Sequence, residues 1–160
     1  MQGGGPEAKA ARTHRERVLF DNGVLYHNSS VKVEHIRDGS SNVFLLGETK
    51  YMPTPSHRAS GGHGGWASGP LFWSSGTNPY SLAAVVDQIN VVPGSGAHPN
   101  MAVPDMFYKM SRLFGSFHPG GCHFAMADGS VHFVSQNTDL AVLQQLGVRN
   151  DGLPLGGLSE

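Results

Sequence analysis

The segment from Cys122 to Val134, CHFAMADGSVHFV, constrains the fold more than any other part of the chain. Two apolar stretches meet at Asp128-Gly129, a dipeptide that favours a tight β-hairpin turn. A two-residue turn would pair Ala127 with Ser130. Because side chains alternate along a strand, this register assigns every residue of the hairpin to a face. The predicted core face carries Phe124, Met126, Val131 and Phe133, and the opposite face carries His123, Ala125, Ala127, Ser130 and His132.

Further strands are predicted upstream of this hairpin. Asn22-Gly23 lies between two apolar stretches and predicts a second hairpin over residues 18–27. Alternating apolar residues predict a half-buried strand near 31–36. The continuous apolar middle of 42–48 predicts a strand at the centre of the sheet.

Two short helices are predicted. Asn78-Pro79 is a typical helix start, and an apolar stripe follows it at helical spacing. The stripe consists of Leu82, Val85, Val86 and Ile89. The second helix begins after Thr138 as its cap and ends at Gly147.

Composition agrees with a turn-rich domain and excludes several classes of protein. The chain has 160 residues, with 22 Gly, 10 Pro and a single Cys, so an intrachain disulfide framework is excluded. A net charge of -1 argues against a nucleic-acid-binding protein, which relies on neutralising phosphates. No apolar stretch reaches the roughly 18 residues that a membrane span requires, so no span is predicted.

These elements predict an α+β domain, in which an antiparallel sheet of hairpins packs against one or two short helices. Residues 1–17 are a basic tail, either a short helix or a frayed end. Residues 18–155 form the single domain, and residues 156–160 form a second tail. Within the domain, residues 52–79 are predicted to be a long Gly- and Pro-rich loop, a kind of segment that often carries function.

Three patches of the sequence carry a family resemblance. His118 is followed by nine residues and then by Asp128-Gly129. The other two patches are DGSSN at 38–42 with LLGE at 45–48, and LGVRN at 146–150 with the following Asp-Gly. In this pattern the chain resembles the prepilin-type processing-associated domain family of planctomycete-like bacteria, whose members look like type II pseudopilins.

The resemblance implies a pseudopilin-like fold, a location at the cell envelope or outside the cell, and a role in binding or assembly. Full-length members begin with a prepilin leader and an apolar anchor helix. Residues 1–17 resemble neither, so the chain is expected to correspond to the C-terminal portion. Some pseudopilins hold calcium in a C-terminal loop, for which Asp128 and Asp151 are the candidates here.

A metal site is the most specific chemical hypothesis. The predicted register makes His123 and His132 diagonal neighbours, roughly 7–8 Å apart between their backbones. Four residues separate His118 from His123, a spacing that histidine pairs in zinc sites use. Asp128 could be a further ligand. The simpler alternative is structural: His118 fixes its loop to the hairpin, and Asp128 accepts backbone hydrogen bonds in its turn.

Other candidate sites follow from single residues. His57, His63, Trp66 and Trp73 could line a ligand-binding surface in the long loop, where tryptophans could stack on a glycan. Cys122 is expected to be a small core residue, because it shares a face with Phe124. Glu48 and Asp128 are the candidate catalytic carboxylates, and partial burial could raise the pKa of Glu48. The simpler alternative for Glu48 is a strand-end residue bonded to a turn.

The sequence therefore favours a non-catalytic, pseudopilin-like domain of the cell envelope. Its partner would be another protein or a second copy of the chain. A small metal-dependent hydrolase of esters or glycosides is the first alternative, with a transition metal or calcium as its ion. A carbohydrate-binding module is the second.

Overall fold

The computed structural model describes residues 12–14, 17–26, 29–50, 71–73, 76–78, 84–91 and 114–152. Its main element is a three-stranded antiparallel sheet in the order β3-β6-β7. These strands are β3 (Phe44–Gly47), β6 (Gly121–Met126) and β7 (Val131–Ser135). Together with the α-helix α1 (Leu140–Leu146), the sheet agrees with the predicted α+β class.

Two short strand pairs lie outside this sheet. β1 (Arg12–His14) pairs with β2 (Arg17–Leu19), and β4 (Leu71–Trp73) pairs with β5 (Gly76–Asn78), both antiparallel. The first pair includes residues of the predicted basic tail. The second falls within the predicted loop 52–79, the rest of which lies outside the described residues. The domain boundaries themselves stay predictions.

The predicted hairpin at 122–134 is confirmed, but its register is shifted by one residue. Ala125 pairs with Val131 and His123 with Phe133. The cause is a three-residue loop, in which the Gly129 N–H donates to the Met126 carbonyl and the Met126 N–H donates to the Ser130 carbonyl. Gly129 has a φ of 88°, as the last residue of such a loop requires.

The shift reverses the predicted faces of β7, because a slip of one residue turns each of its side chains to the other side of the sheet. Val131 and Phe133, predicted to lie in the core, are 63% and 49% exposed. Val134 is buried instead, opposite the buried Cys122. The faces predicted for β6 are correct, since Phe124 and Met126 are both buried.

The core lies on the inner face of the three-stranded sheet. Phe124 stacks on Phe44 with ring centroids 4.1 Å apart, and Phe114 packs against Phe124 at 5.1 Å. Gly47 allows this packing, since a Cβ there would lie 2.7 Å from both Phe114 and Phe124. The remaining members of the same buried cluster are Val85, Ile89, Cys122, Met126, Val134, Leu143 and Leu146.

Helix α1 agrees with its prediction apart from its cap. It begins one residue later than expected, because the Asp139 side chain, rather than that of Thr138, caps the helix by accepting the Ala141 N–H at 2.7 Å. Gly147 is its C-cap, as predicted. Leu143 and Leu146 turn inward and bury this face of the helix in the core.

Two predicted strands differ from the structure. Residues 31–36 contain a 3₁₀ helix, Val33–His35, where Lys32 N–H donates to His35 Nδ1, so the predicted strand is wrong. The strand at 42–48 exists as β3, but among the described residues it lies at an edge of the sheet, and β6 takes the central place. Its apolar Leu46 is 55% exposed.

The predicted hairpin at 18–27 is also wrong. β2 pairs with the preceding β1, and the chain bends over residues 22–25 instead of forming a second strand. The backbone here is engaged by Arg149: its N–H donates to the Asn22 carbonyl, and its guanidinium donates to the carbonyls of Asp21 and Gly23. These carbonyls bond to the distant C-terminal segment rather than to a neighbouring strand.

The helix predicted after Pro79 is wrong over the residues of this region that the structure describes. Residues 84–91 are described and contain no helix, while 79–83 lie outside the described residues. Val85 and Ile89 are buried as the apolar stripe implies. Asn90, directly after the stripe, has a φ of 62°, a left-handed conformation.

Replacing Gly129 tests the observed register. Gly129→Ala is expected to lower the free energy of unfolding by about 1–2 kcal/mol, because an L side chain is strained at this positive φ although nothing lies within 4 Å of its Cβ. Gly129→Asn should cost less, since Asn tolerates left-handed backbone better than Ala. Urea denaturation measures both, and equal losses for the two variants would contradict the assigned turn.

Candidate metal centre

Glu48 lies immediately after β3 and is held against the central strand. Its N–H donates to the His123 carbonyl at 3.2 Å, which extends the β3–β6 ladder by one bond. In return the His123 N–H donates to Glu48 Oε2 at 2.7 Å. The Glu48 carboxylate is thus fixed by the backbone of β6, and it faces the His123 side chain of the same strand.

His118 lies in the loop before β6, and hydrogen bonds from polar groups fix the backbone of this loop. Ser116 is buried, and its hydroxyl donates to the Gly121 carbonyl at 2.7 Å and accepts the His118 N–H at 3.0 Å. The Asn90 side chain accepts the Ser116 N–H at 2.9 Å. The loop that carries His118 is therefore hydrogen-bonded through Ser116 both to β6 and to Asn90.

His123 reaches the same place from the sheet. It lies on β6 between two buried neighbours, Cys122 and Phe124, so strand alternation turns it to the side of the sheet away from the core. There its ring lies edge-on to Phe133, with centroids 5.1 Å apart. The ring of His118 approaches from the other direction, at 5.0 Å and nearly perpendicular.

These three side chains form one cluster. Glu48 Oε1 lies 3.5 Å from His118 Nε2, and Glu48 Oε2 lies 3.4 Å from His123 Nδ1. One ligand atom from each residue can be chosen so that all lie within 4.8 Å of one another. The side chains are between 38% and 54% exposed, so the cluster is open to solvent.

The pKa of Glu48 is lowered, not raised as the sequence suggested. The largest cause is the hydrogen bond from the His123 N–H, which stabilises the carboxylate and outweighs the smaller opposing effect of burial. The two imidazoles act in the same direction as the hydrogen bond. Glu48 is thus suited to be an anionic ligand or ion-pair partner rather than a protonated acid.

The structure brings together part of the predicted histidine site. His118 and His123 converge, as proposed from their spacing, but they converge on Glu48, which the sequence indicated only as a catalytic candidate. No local motif marks this partnership, because Glu48 and His123 are 75 positions apart and meet only through β3–β6 pairing.

His132 and Asp128 belong to the turn end of the hairpin. The predicted diagonal contact between His132 and His123 is wrong, because the shifted register pairs His132 with Phe124 and turns it to the other face. Its Nε2 lies 3.1 Å from the Ser130 hydroxyl. The Asp128 carboxylate accepts the Ser130 N–H and hydroxyl, at 2.8 and 2.7 Å, and these bonds lower its pKa.

Asp128 therefore takes the structural role that its Asp-Gly context predicted. The other calcium candidate, Asp151, donates its backbone N–H to the Asp38 carboxylate at 2.9 Å. Gly152 N–H donates to the same carboxylate at 3.0 Å. This pair of bonds links two of the sequence patches that carry the family resemblance.

Cys122 is a core residue, as predicted. Its side chain is fully buried, and burial raises the pKa of the thiol to about 12, with the charge of Glu48 adding to the effect. A thiolate nucleophile is correspondingly disfavoured at neutral pH.

The side chains of the candidate ligand-binding residues in the long loop lie outside the described part of the chain. His57, His63 and Trp66 lie outside the described residues, and for Trp73 only the backbone of β4 is described. Their proposed role in binding a glycan stays a prediction.

Comparison with protein-family models identifies a family for this chain. The model of the family described as "Protein of unknown function (DUF1559)" matches residues 1–141. No curated protein matches the chain, and no solved structure does. Within the described residues, no helix has both the length and the hydropathy needed to cross a bilayer.

The lowered pKa of Glu48 predicts a specific loss of stability in acid. Its folded-state pKa lies below the ordinary value of 4.5, so its contribution is fully present above about pH 4.5 and is lost as the pH falls through the folded-state value. Glu48→Gln keeps an oxygen acceptor for the His123 N–H but cannot titrate, so the unfolding free energy should depend less on pH below 4.5.

Urea denaturation at a series of pH values measures this effect. Asp128 remains in the variant and also has a lowered pKa, so the pH dependence should shrink rather than vanish. Glu34→Gln, on the exposed 3₁₀ helix, makes the same change of charge away from the cluster. If Glu48→Gln and wild type lose stability in parallel, Glu48 is not held as described.

Proposed function

The chain belongs to the DUF1559 family, and from that premise we propose that it is a non-catalytic, pseudopilin-like domain of the cell envelope that acts by contacting another protein chain. The family match over residues 1–141 supports a surface-associated domain of the planctomycete type. A second copy of the chain is the partner that the proposal addresses first.

The exposed face of the three-stranded sheet is the observation that carries the proposal. Register places Leu46, Ala125 and Val131 in one row across all three strands, with Phe133 in the next row. Leu46, Val131 and Phe133 are 55%, 63% and 49% exposed. We call this set of four residues the outer face.

An apolar outer face suits protein contact. Adjacent exposed apolar side chains often mark a surface that associates with another molecule. The face is part of an antiparallel sheet, which commonly buries one face in the core and leaves the other to water. Here the second face also carries exposed apolar side chains, beside His123, a pattern expected if another chain covers it.

A small metal-dependent hydrolase is the second candidate function. The specific observation in its favour is the solvent-open cluster of Glu48, His118 and His123, since catalytic metal sites use three protein ligands and an open position. Hydrolysis of a chromogenic ester or glycoside by the metal-loaded protein, abolished in His118→Ala, would favour this function over the first.

Charging the outer face tests the proposed contact. The double substitution Leu46→Lys and Val131→Lys is expected to weaken self-association by tenfold or more, because about 1.4 kcal/mol of lost contact energy suffices. Sedimentation velocity over a range of protein concentrations measures it. Both positions are exposed, so the monomer should remain folded.

Val33→Lys is the matched control, since Val33 is 72% exposed and lies on a 3₁₀ helix away from the sheet. This variant should associate like wild type. A wild-type chain that stays monomeric at all concentrations, or a double variant that associates equally well, would contradict the proposal.

A further inference from the structure

We propose that Glu48, His118 and His123 bind one divalent transition-metal ion of the zinc class. The site lies beside the outer face but uses none of its four residues as a ligand, so it goes beyond the proposed contact and does not depend on it.

The spacing fits a tetrahedral ion. Zinc binds imidazole nitrogen and carboxylate oxygen at about 2.0–2.2 Å, which in tetrahedral geometry separates neighbouring ligand atoms by about 3.3–3.6 Å. Glu48 approaches the two imidazoles through different oxygens, with Oε1 3.5 Å from His118 Nε2 and Oε2 3.4 Å from His123 Nδ1, and both distances are of this size. With all three ligand atoms within 4.8 Å, small side-chain rotations suffice to surround one ion.

The ligand chemistry selects the class of metal. Two imidazole nitrogens and one carboxylate form a set that suits zinc and its transition-metal neighbours. Calcium and magnesium prefer oxygen ligands, and calcium takes six to eight of them, whereas this cluster offers one carboxylate. Of the two kinds of ion that the sequence left open, the cluster therefore favours the transition metal.

The ligands are held in advance of binding. The β6 backbone fixes the Glu48 carboxylate through the His123 N–H, and Ser116 anchors the backbone of His118. His123 lies on the central strand, which is paired on both sides. Ligands that are already ordered lose less conformational entropy on binding, which favours affinity.

Three protein ligands leave one tetrahedral position open. Because all three side chains are partly exposed, water can reach that position. An ion here would join the end of β3, the loop before β6 and β6 itself. Binding to the folded state alone should therefore raise the thermal midpoint as the metal concentration rises.

Calorimetric titration of the chelator-treated protein, purified without a histidine tag, tests the site with Zn²⁺ as the probe. One equivalent of Zn²⁺ is expected to bind, and the melting temperature should rise with it. Co²⁺ provides a second readout, since a tetrahedral nitrogen and oxygen site gives it a visible absorption band. His118→Ala and Glu48→Gln should each weaken Zn²⁺ binding by about tenfold or more.

His132→Ala is the matched control, because His132 is exposed and lies on the other face of the hairpin. This variant should bind Zn²⁺ like wild type. Glu48→Gln keeps an acceptor for the His123 N–H, and circular dichroism verifies that both ligand variants are folded. The Leu46→Lys and Val131→Lys variant should also keep its Zn²⁺ affinity, which separates this proposal from the proposed contact.

Three results would overturn the proposal. One is the lack of saturable Zn²⁺ binding, and another is binding that neither His118→Ala nor Glu48→Gln weakens. The third is a preference for Ca²⁺ over Zn²⁺ at equal concentration, which would require a different, oxygen-rich site.

Discussion

The hydrogen bonds that close the β6–β7 loop set the register on which the rest of the sheet depends. The Met126 N–H donates to the Ser130 carbonyl, and the Gly129 N–H donates back to the Met126 carbonyl. This pairing places Val134 in the core opposite Cys122 and leaves Val131 and Phe133 outside. The segment before β3 also holds this loop, since the N–H groups of Ala127 and Asp128 donate to the carbonyls of Val43 and Ser40, respectively.

The candidate metal centre follows from the same pairing. The outward position of His123 results from its place between two buried residues, and β3 brings Glu48 alongside it. The loop carrying His118 completes the cluster because Ser116 and Asn90 fix its base. The outer face and the cluster are thus neighbouring products of one sheet, although we assign them separate roles.

Local signals in the sequence were sufficient for some elements. The Asp128-Gly129 turn, the apolar side of β6, the helix ending at Gly147 and the buried Cys122 were all predictable from spacing and turn chemistry. The register was not predictable, because Asp-Gly fits both a two-residue and a three-residue loop. The strand residues that these two loops pair differ by one position. That single difference reversed the faces of β7 and moved His132 away from His123.

Long-range contacts account for most of the other errors. Asn22-Gly23 reads locally as a hairpin, but Arg149 binds the carbonyls around it from the other end of the chain. Glu48 was expected to have a raised pKa because sequence shows its apolar neighbours and not the N–H of His123. Its partnership with two histidines depends on strand pairing, which no local pattern encodes.

In the proposed site, Glu48, His118 and His123 surround one metal ion. Crystals of the protein grown with Zn²⁺ and measured at the zinc absorption edge test it directly through the anomalous difference map. A single strong peak is expected within bonding distance of Glu48, His118 and His123. A map with its strongest peak at His132, or with no peak at the cluster, would contradict it.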